Sequence, residues 1–250
     1  MSERRHEPRG HLARYAAWQF RDYVIEKGIG TLLVAVLGGY LSLMLLRETL
    51  QQRGVVPQDV YDLMLAQLVS NLVFVGALFA TNGIVSDDRK NGYFRFYFAK
   101  PVSMTAFYLQ KYLLAFAGFM MVTVLLVPGW MHFFHQPAPA PALYLAVASG
   151  FVLYTGIGFL VSAFVRTDWL SFIAIYLAGK VAWMNWGKRD DLLGTLVHAL
   201  PPVGGQLDEL DAAAIHGTLP WKLVAWITGY GVVCLLLGLV ALRKRPIGSG

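Results

Sequence analysis

Long runs of apolar residues alternate with short polar segments along the chain, and this alternation sets the first expectation about the fold. A helix rises about 1.5 Å per residue, so about 20 residues cross a hydrocarbon core of about 30 Å. A run broken only by Lys180, Trp169–Trp186, approaches this length. Further runs of about this length contain no charged residue: Ile29–Leu46, Leu63–Ser86, Tyr112–Trp130, Ala142–Val165 and Leu223–Leu242. The pattern therefore predicts an all-α membrane protein with about six transmembrane helices.

The segment before the first run has an amphipathic pattern instead. Between Leu12 and Val24, apolar side chains recur at helical spacing while charged and amide side chains occupy the other faces. This pattern predicts an N-terminal amphipathic helix on the membrane surface. We divide the chain into a cytoplasmic N-terminus with this helix (1–28), a six-span domain (29–245) and a tail (246–250) of the kind that cloning leaves behind.

Two of the connecting segments carry patterns of their own. Asp87–Ala99, after the second run, combines charged residues with aromatic ones, which predicts a cytoplasmic helix that needs a protein surface to pack against. Before the last run, apolar residues at helical spacing flank a break of two prolines and two glycines. This predicts two short external helices, Asp190–Leu200 and Gln206–Ala214, which are too short to span the membrane.

Composition and charge agree with a membrane location. The chain has 56% hydrophobic and 14% charged residues, whereas charged residues make up about 25% of a soluble domain. Lysines and arginines concentrate before the first run, between the second and third, and after the last. The positive-inside rule therefore predicts a multi-pass protein of the inner (cytoplasmic) membrane with both termini in the cytoplasm. Because the positive charges mark the ends of spans, the net charge of +6 does not indicate nucleic-acid binding.

The sequence contains no motif for catalysis or nucleotide binding. His-Glu-x-x-His, Gly-x-Ser-x-Gly and Gly-x-x-x-x-Gly-Lys-Ser/Thr are all absent, so we predict no catalytic residue and no cofactor on this chain. Cys234 is the only cysteine, which excludes an intramolecular disulfide and a CxxC site. His132 and His135 have the spacing of a metal-ligand pair. With no third ligand nearby, we interpret them as interfacial histidines and predict no metal site.

Lys180 is the charged residue that the pattern places inside a span. It lies about 16 Å along its span, past the midplane, where a cation costs at least about 2.5 kcal/mol unless it is paired or hydrated. Two interpretations stay open. Lys180 lines a translocation path, or it extends toward the outer interface or bonds to a neighbouring helix.

The connection between the second and third runs resembles that of permease subunits of type-2 ABC transporters. In that family the second span ends in an acidic-basic-x-x-Gly segment, and a short helix, a Pro-Val-Ser-like turn and a lysine follow. The amphipathic N-terminus, the broken external segment and the basic end of the last span fit the same family. Family members usually carry Glu and Thr around the central glycine, where this sequence has Asp88 and Tyr93. The matching positions are Asp88, Arg89, Gly92, Pro101, Val102, Ser103 and Lys111.

The resemblance implies a function and partners, but no particular substrate. The chain would be the permease of an ATP-driven transporter, an exporter working by alternating access. It would act with a second permease copy, identical or related, and with two copies of a separate ABC ATPase that binds ATP and Mg²⁺. The resemblance implies that the ATPase receives the cytoplasmic helix, with Asp88, Arg89, Gly92 and Pro101 as coupling positions. Because the aromatic residues of this helix need a protein groove, we assign Phe94 and Tyr97 as further contacts of the ATPase.

Two other functions remain as alternatives. A secondary transporter, which works without ATP, would favour acidic residues or broken helices inside the spans, and no Asp or Glu lies in a predicted span. A membrane anchor or assembly protein would leave Lys180 and the two external helices without an evident purpose.

Overall fold

A computed structural model describes residues 9–53, 58–86, 88, 103–133, 141–165, 168–189 and 191–244. Throughout these residues the secondary structure is helical and contains no strand, which confirms the all-α prediction. The helices are α1 (Arg9–Tyr23), a π-helical turn (Val24–Gly28), α2 (Ile29–Arg53), α3 (Gln58–Thr81), α4 (Met104–Phe133), α5 (Pro141–Phe164), α6 (Asp168–Trp186), α7 (Leu192–Ala199), α8 (Gly205–Ile215) and α9 (Trp221–Lys244).

Several of these helices have the length and composition of membrane spans. In the described part of the chain, five segments qualify: Ala16–Ser42, Val60–Thr81, Met104–His132, Pro141–Phe164 and Trp221–Lys244. Helix α6 forms where the sixth span is predicted, but it is not among these five segments. The prediction of a membrane protein is thus supported by five helices, and the count of six stays a prediction.

The N-terminal helix runs into the first span without a break. The predicted amphipathic segment forms α1, and the π-helical turn connects it directly to α2. Helix α1 packs against α4, where the ring of Tyr23 occupies the space left by the missing side chain of Gly118. The apolar stretch accordingly begins at Ala16, within the amphipathic segment.

Helix α5 is the centre of the bundle and packs against α3, α4, α6, α8 and α9. Its closest neighbour is α9, because both helices carry glycine where they cross. A Cβ on Gly156 would overlap the carbonyl group of Gly231, and a Cβ on Gly231 would overlap the backbone of Val152. Small residues that let two backbones meet are a common basis for helix association in membranes.

The two short helices predicted before the last span are present as α7 and α8. Asp191 caps α7, since its Oδ1 accepts a hydrogen bond from the backbone N–H of Gly194 at 2.9 Å. Pro201 and Pro202 then separate the helices. At the start of α8, a Cβ on Gly205 would overlap the indole of Trp183 on α6. Helix α8 consequently lies against α3, α5, α6 and α9.

Candidate functional site

The turn that follows α3 is held in place by two lysines from other helices. Helix α3 ends at Thr81, and Gly83 adopts a positive φ of 73° in the turn, a conformation that favours glycine. Lys27 Nζ donates to the carbonyl oxygen of Asn82 at 2.7 Å, and Lys111 Nζ donates to that of Ile84 at 3.1 Å. Both cations therefore lie at the negative end of the α3 helix dipole.

Asp88 is joined to the first turns of α4. Its Oδ2 accepts a hydrogen bond from the Tyr108 hydroxyl at 3.1 Å and lies 3.3 Å from Lys111 Nζ. Asp88 is 7% exposed and Tyr108 is fully buried. A hydrogen-bonded ion pair in such a place resists displacement, because removing one partner leaves a buried charge. We call Asp88, Tyr108 and Lys111 the connector anchor.

The connector anchor unites two of the positions that carry the family resemblance, Asp88 and Lys111. Tyr108 was not predicted as a site residue. Its position one helical turn before Lys111, on the same face of the helix, could have indicated that the two side chains act together. Ser103, at the start of α4, is exposed. The other residues assigned to ATPase coupling lie outside the described residues: Arg89, Gly92, Phe94, Tyr97 and Pro101, as do Tyr93 and Val102.

Lys180 on α6 has a partner on α8. Its Nζ lies 2.7 Å from Oδ1 and 2.8 Å from Oδ2 of Asp208. The ammonium group is also 5.9 Å from the centre of the Tyr176 ring. Lys180 and Asp208 side chains are 27% and 50% exposed, respectively. Of the two interpretations of Lys180, the structure provides the interhelical bond, while a role in a translocation path stays a prediction.

Asp211 lies one turn beyond Asp208 on α8 and is 2% exposed. Both of its carboxylate oxygens are buried and have no hydrogen-bond partner among the described residues, and the same holds for the hydroxyl of Tyr154 on α5. Burial, and secondarily the negative charge of Asp208, raise the pKa of Asp211 to about 8, while the charge of Lys180 acts in the opposite direction. At neutral pH this carboxyl is therefore largely protonated.

Aromatic rings pack beside this group. The ring of Phe74 lies 4.1 Å from that of Tyr176 and 5.7 Å from that of Tyr154, measured between centroids. Phe172 stacks on Phe74 at 5.6 Å. These rings join α3, α5 and α6 around Tyr154 and make the surroundings of the buried hydroxyl apolar.

Asp208 and Asp211, two of the three acidic residues of α8, were not predicted to be functional residues. Their spacing of three places them on one face of a helix, and Asp211 continues the apolar stripe formed by Leu207 and Ala214. A carboxylate on an apolar stripe was the available signal. It was overlooked because α8 was considered a surface element rather than part of the packed bundle.

The histidines do not form a metal centre in the described part of the chain. No group of three His, Cys, Asp or Glu residues there could hold a metal ion. His132 is exposed, and His135 lies outside the described residues. His216 Nε2, just after α8, lies 3.8 Å from Asp62 Oδ2 on α3.

Helix α3 exposes two amide side chains in the middle of its apolar length. Gln67 Nε2 donates to Asn71 Oδ1 at 3.0 Å, and both residues are exposed. Asn71 also lines a groove of about 340 Å³ between α2 and α3, together with Thr31, Ser42 and apolar residues. Polar groups of this kind are unfavourable among lipid chains and usually face protein or water.

A scan against models of protein families and searches of curated proteins and of solved structures found no match to this chain.

Proposed function

We propose that the chain is the transmembrane permease subunit of an ATP-driven ABC transporter, an exporter of the type-2 class driven by a separate ATPase. The observation that carries the proposal is the connector anchor, in which Asp88 is bonded to Tyr108 and Lys111. It joins the end of α3 to the start of α4, the two described elements that precede and follow the aromatic segment 89–102 in the sequence. A force applied to that segment would be transmitted to both helices at once.

The segment itself supports a partner on this side of the membrane. Its charges exclude it from lipid, and its aromatic residues require a protein groove. Because the sequence has no nucleotide-binding motif, the ATPase would be a separate subunit. We assign Phe94 and Tyr97 as its principal contacts, with Arg89, Gly92 and Pro101 shaping the segment.

The exposed amides of α3 support a second permease copy. Gln67 satisfies only part of its hydrogen-bonding capacity through Asn71, so this face would be costly to leave in lipid. A second copy packed over the groove between α2 and α3 would cover these amides or enclose a hydrated path. The complex would then contain two permeases and two ATPases, with α6 as the sixth span and both termini in the cytoplasm.

One observation favours a second candidate, a secondary transporter. Asp211 is a buried carboxyl between packed helices, and such groups are common in proton-coupled carriers. A secondary transporter would give no role to the aromatic segment 89–102, so we rank it second.

Substitutions in the aromatic segment 89–102 test the proposed function. The tagged full chain is purified from the membranes of its native cell, and the co-purified ATPase is quantified by its Mg²⁺-dependent ATP hydrolysis. We expect Phe94→Ala with Tyr97→Ala to reduce this hydrolysis at least tenfold, which corresponds to about 1.4 kcal/mol of binding free energy. Trp221→Ala with Trp226→Ala, two exposed aromatic residues on α9, is the matched control and should change nothing. Equal hydrolysis with both double variants would contradict the docking role.

A further inference from the structure

Asp211 is an unusual group in this bundle because its carboxyl has no hydrogen-bond donor in the part of the chain that the structure describes. Both oxygens are buried and unpaired, although Lys180 and Asp208 form a close pair one turn away. An ionised carboxylate in such a position lacks compensation for the hydration it lost, and a natural protein rarely retains one. The neutral acid avoids that penalty and is itself a hydrogen-bond donor.

We propose that Asp211 is a proton-binding site that controls the position of α8. The carboxyl holds a proton while α8 is packed against α3 and α5. When the proton leaves, the O–H bond of the acid breaks, a water molecule becomes hydronium, and the carboxylate remains on Asp211. The anion then moves toward water and the Lys180 ammonium group, which displaces α8 from its packed position.

The geometry provides a route for the proton. Asp208 precedes Asp211 by one helical turn on α8, and its side chain is half exposed and paired with Lys180. The hydroxyl of Tyr154, by contrast, is buried, and aromatic rings pack around the Tyr154 ring. In this proposal the proton exchanges with solvent past Lys180 and Asp208.

Other charged groups around α8 define the electrostatic surroundings. Asp208 disfavours the Asp211 anion and Lys180 favours it, while burial is the largest influence. The titratable groups on the helices packed against α8 within the described residues include Tyr61 and Asp62 on α3, Tyr154 on α5, Tyr176 and Lys180 on α6, and Lys222 on α9, with His216 just beyond α8 itself.

A proton fits this site better than a larger cation. A metal ion would need several ligands, and the described residues hold no group of three suitable side chains. An organic cation would need room, whereas Asp211 and Tyr154 lie in tightly packed surroundings. A proton needs neither several ligands nor additional space. The inference concerns the packing of α8 alone and does not depend on the proposed ATPase.

Infrared spectroscopy of the full chain in lipid nanodiscs tests the protonation directly. The carbonyl stretch of a protonated acid is followed with pH, and isotopically labelled aspartate in the wild-type chain identifies it as aspartic. We expect an acid band at pH 6 that disappears with a midpoint near 8. Asp211→Asn should lack the band, and Asp62→Asn is the control that should keep it. A midpoint below about 6, or no aspartic-acid band, would overturn the proposal.

Cysteine labelling tests the displacement of α8. In a Cys234→Ala background, Ala214→Cys reports on the buried face of α8 and Thr218→Cys on an exposed position nearby. Their ratio of labelling rates cancels the pH dependence of the reagent. We expect this ratio to rise about tenfold between pH 6 and 9, and to stay constant when Asp211→Asn is added. A constant ratio in the parent chain would overturn the coupling to α8.

Discussion

Three ionisable residues on two adjacent helices, Lys180 on α6 and Asp208 and Asp211 on α8, influence one another electrostatically. Lys180 and Asp208 satisfy each other, so the cost of placing a lysine within an apolar helix is met by an acid from a different element. Asp211 lies beyond that pair without a partner. In our proposal, Asp211 is neutral while α8 is packed and is charged in a state in which water reaches α8.

This arrangement predicts opposite effects of two substitutions on the titration of Asp211. Lys180→Met removes the charge that stabilises the anion, so the midpoint should rise by roughly one pH unit. Asp208→Asn removes the charge that destabilises it, so the midpoint should fall by a similar amount. The infrared titration measures both. Shifts in the same direction for the two variants would contradict the assignment of the electrostatic partners.

The raised pKa also has a consequence for stability. The folded chain binds this proton up to about pH 8, whereas an unfolded aspartate releases it near 3.8. Between these values the folded state binds more protons, so the free energy of unfolding should decrease as pH rises from about 4 to about 8 and level off above. Thermal unfolding of the wild-type chain, compared with Asp211→Asn, measures this contribution. Asp211→Asn should remove this part of the dependence of the free energy of unfolding on pH. An unchanged dependence would contradict the raised pKa of Asp211.

At the scale of elements, close packing between α5 and α9 depends on paired glycines. The backbones meet at Gly156 and Gly231, with no space for a methyl group between them. Elsewhere on α9, a Cβ on Gly229 would meet no other described atom within 4 Å. The chain therefore contains a matched pair of glycines on one helix, of which only one is required by packing.

Substituting these glycines should separate packing from helix propensity. Gly231→Ala forces the two backbones apart and should cost about 2 kcal/mol, seen as a melting temperature lower by about 5 °C. Gly229→Ala gains helix propensity and should leave the melting temperature unchanged or slightly higher. Equal effects of the two substitutions in a thermal unfolding experiment would contradict the role of the crossing.

The elements also show what the sequence could and could not predict. Apolar periodicity was sufficient to predict five candidate spans and the helices α7 and α8, because length and proline breaks determine where helices can form. It could not predict the pairing of Lys180 with Asp208 or of Asp88 with Tyr108, since those contacts arise from helices distant in the chain. The continuity of α1 with α2 was also missed, because a π-helical turn has no distinct apolar pattern.

For the whole molecule, the connector anchor and helix α8 lie toward opposite ends of helix α3. Asp62, near the start of α3, faces His216 beyond α8, whereas Asp88 follows the end of α3. Helix α3 therefore separates the two regions along its length. The distribution of lysine and arginine predicts that the anchor faces the cytoplasm.

Labelling from each side of the membrane tests this orientation. In a Cys234→Ala background, Thr218→Cys should react with an impermeant maleimide in intact cells or right-side-out vesicles, and Ser103→Cys should react only in inverted vesicles. Both positions are exposed, so differences in burial do not obscure the result. Labelling of both cysteines from the same side would contradict the predicted topology.

The proposed function as an ABC permease requires a separate ATPase subunit, and ATP hydrolysis by the purified native complex tests it most directly. The tagged wild-type chain, extracted from its own membrane in mild detergent, should carry one ATPase subunit per chain. The preparation should hydrolyse Mg²⁺-ATP at a rate of about 1 s⁻¹ or more per complex. It should lose that activity together with the subunit when Phe94 and Tyr97 are replaced by alanine. A pure, folded wild-type chain that neither retains an ATPase nor hydrolyses ATP would contradict the account.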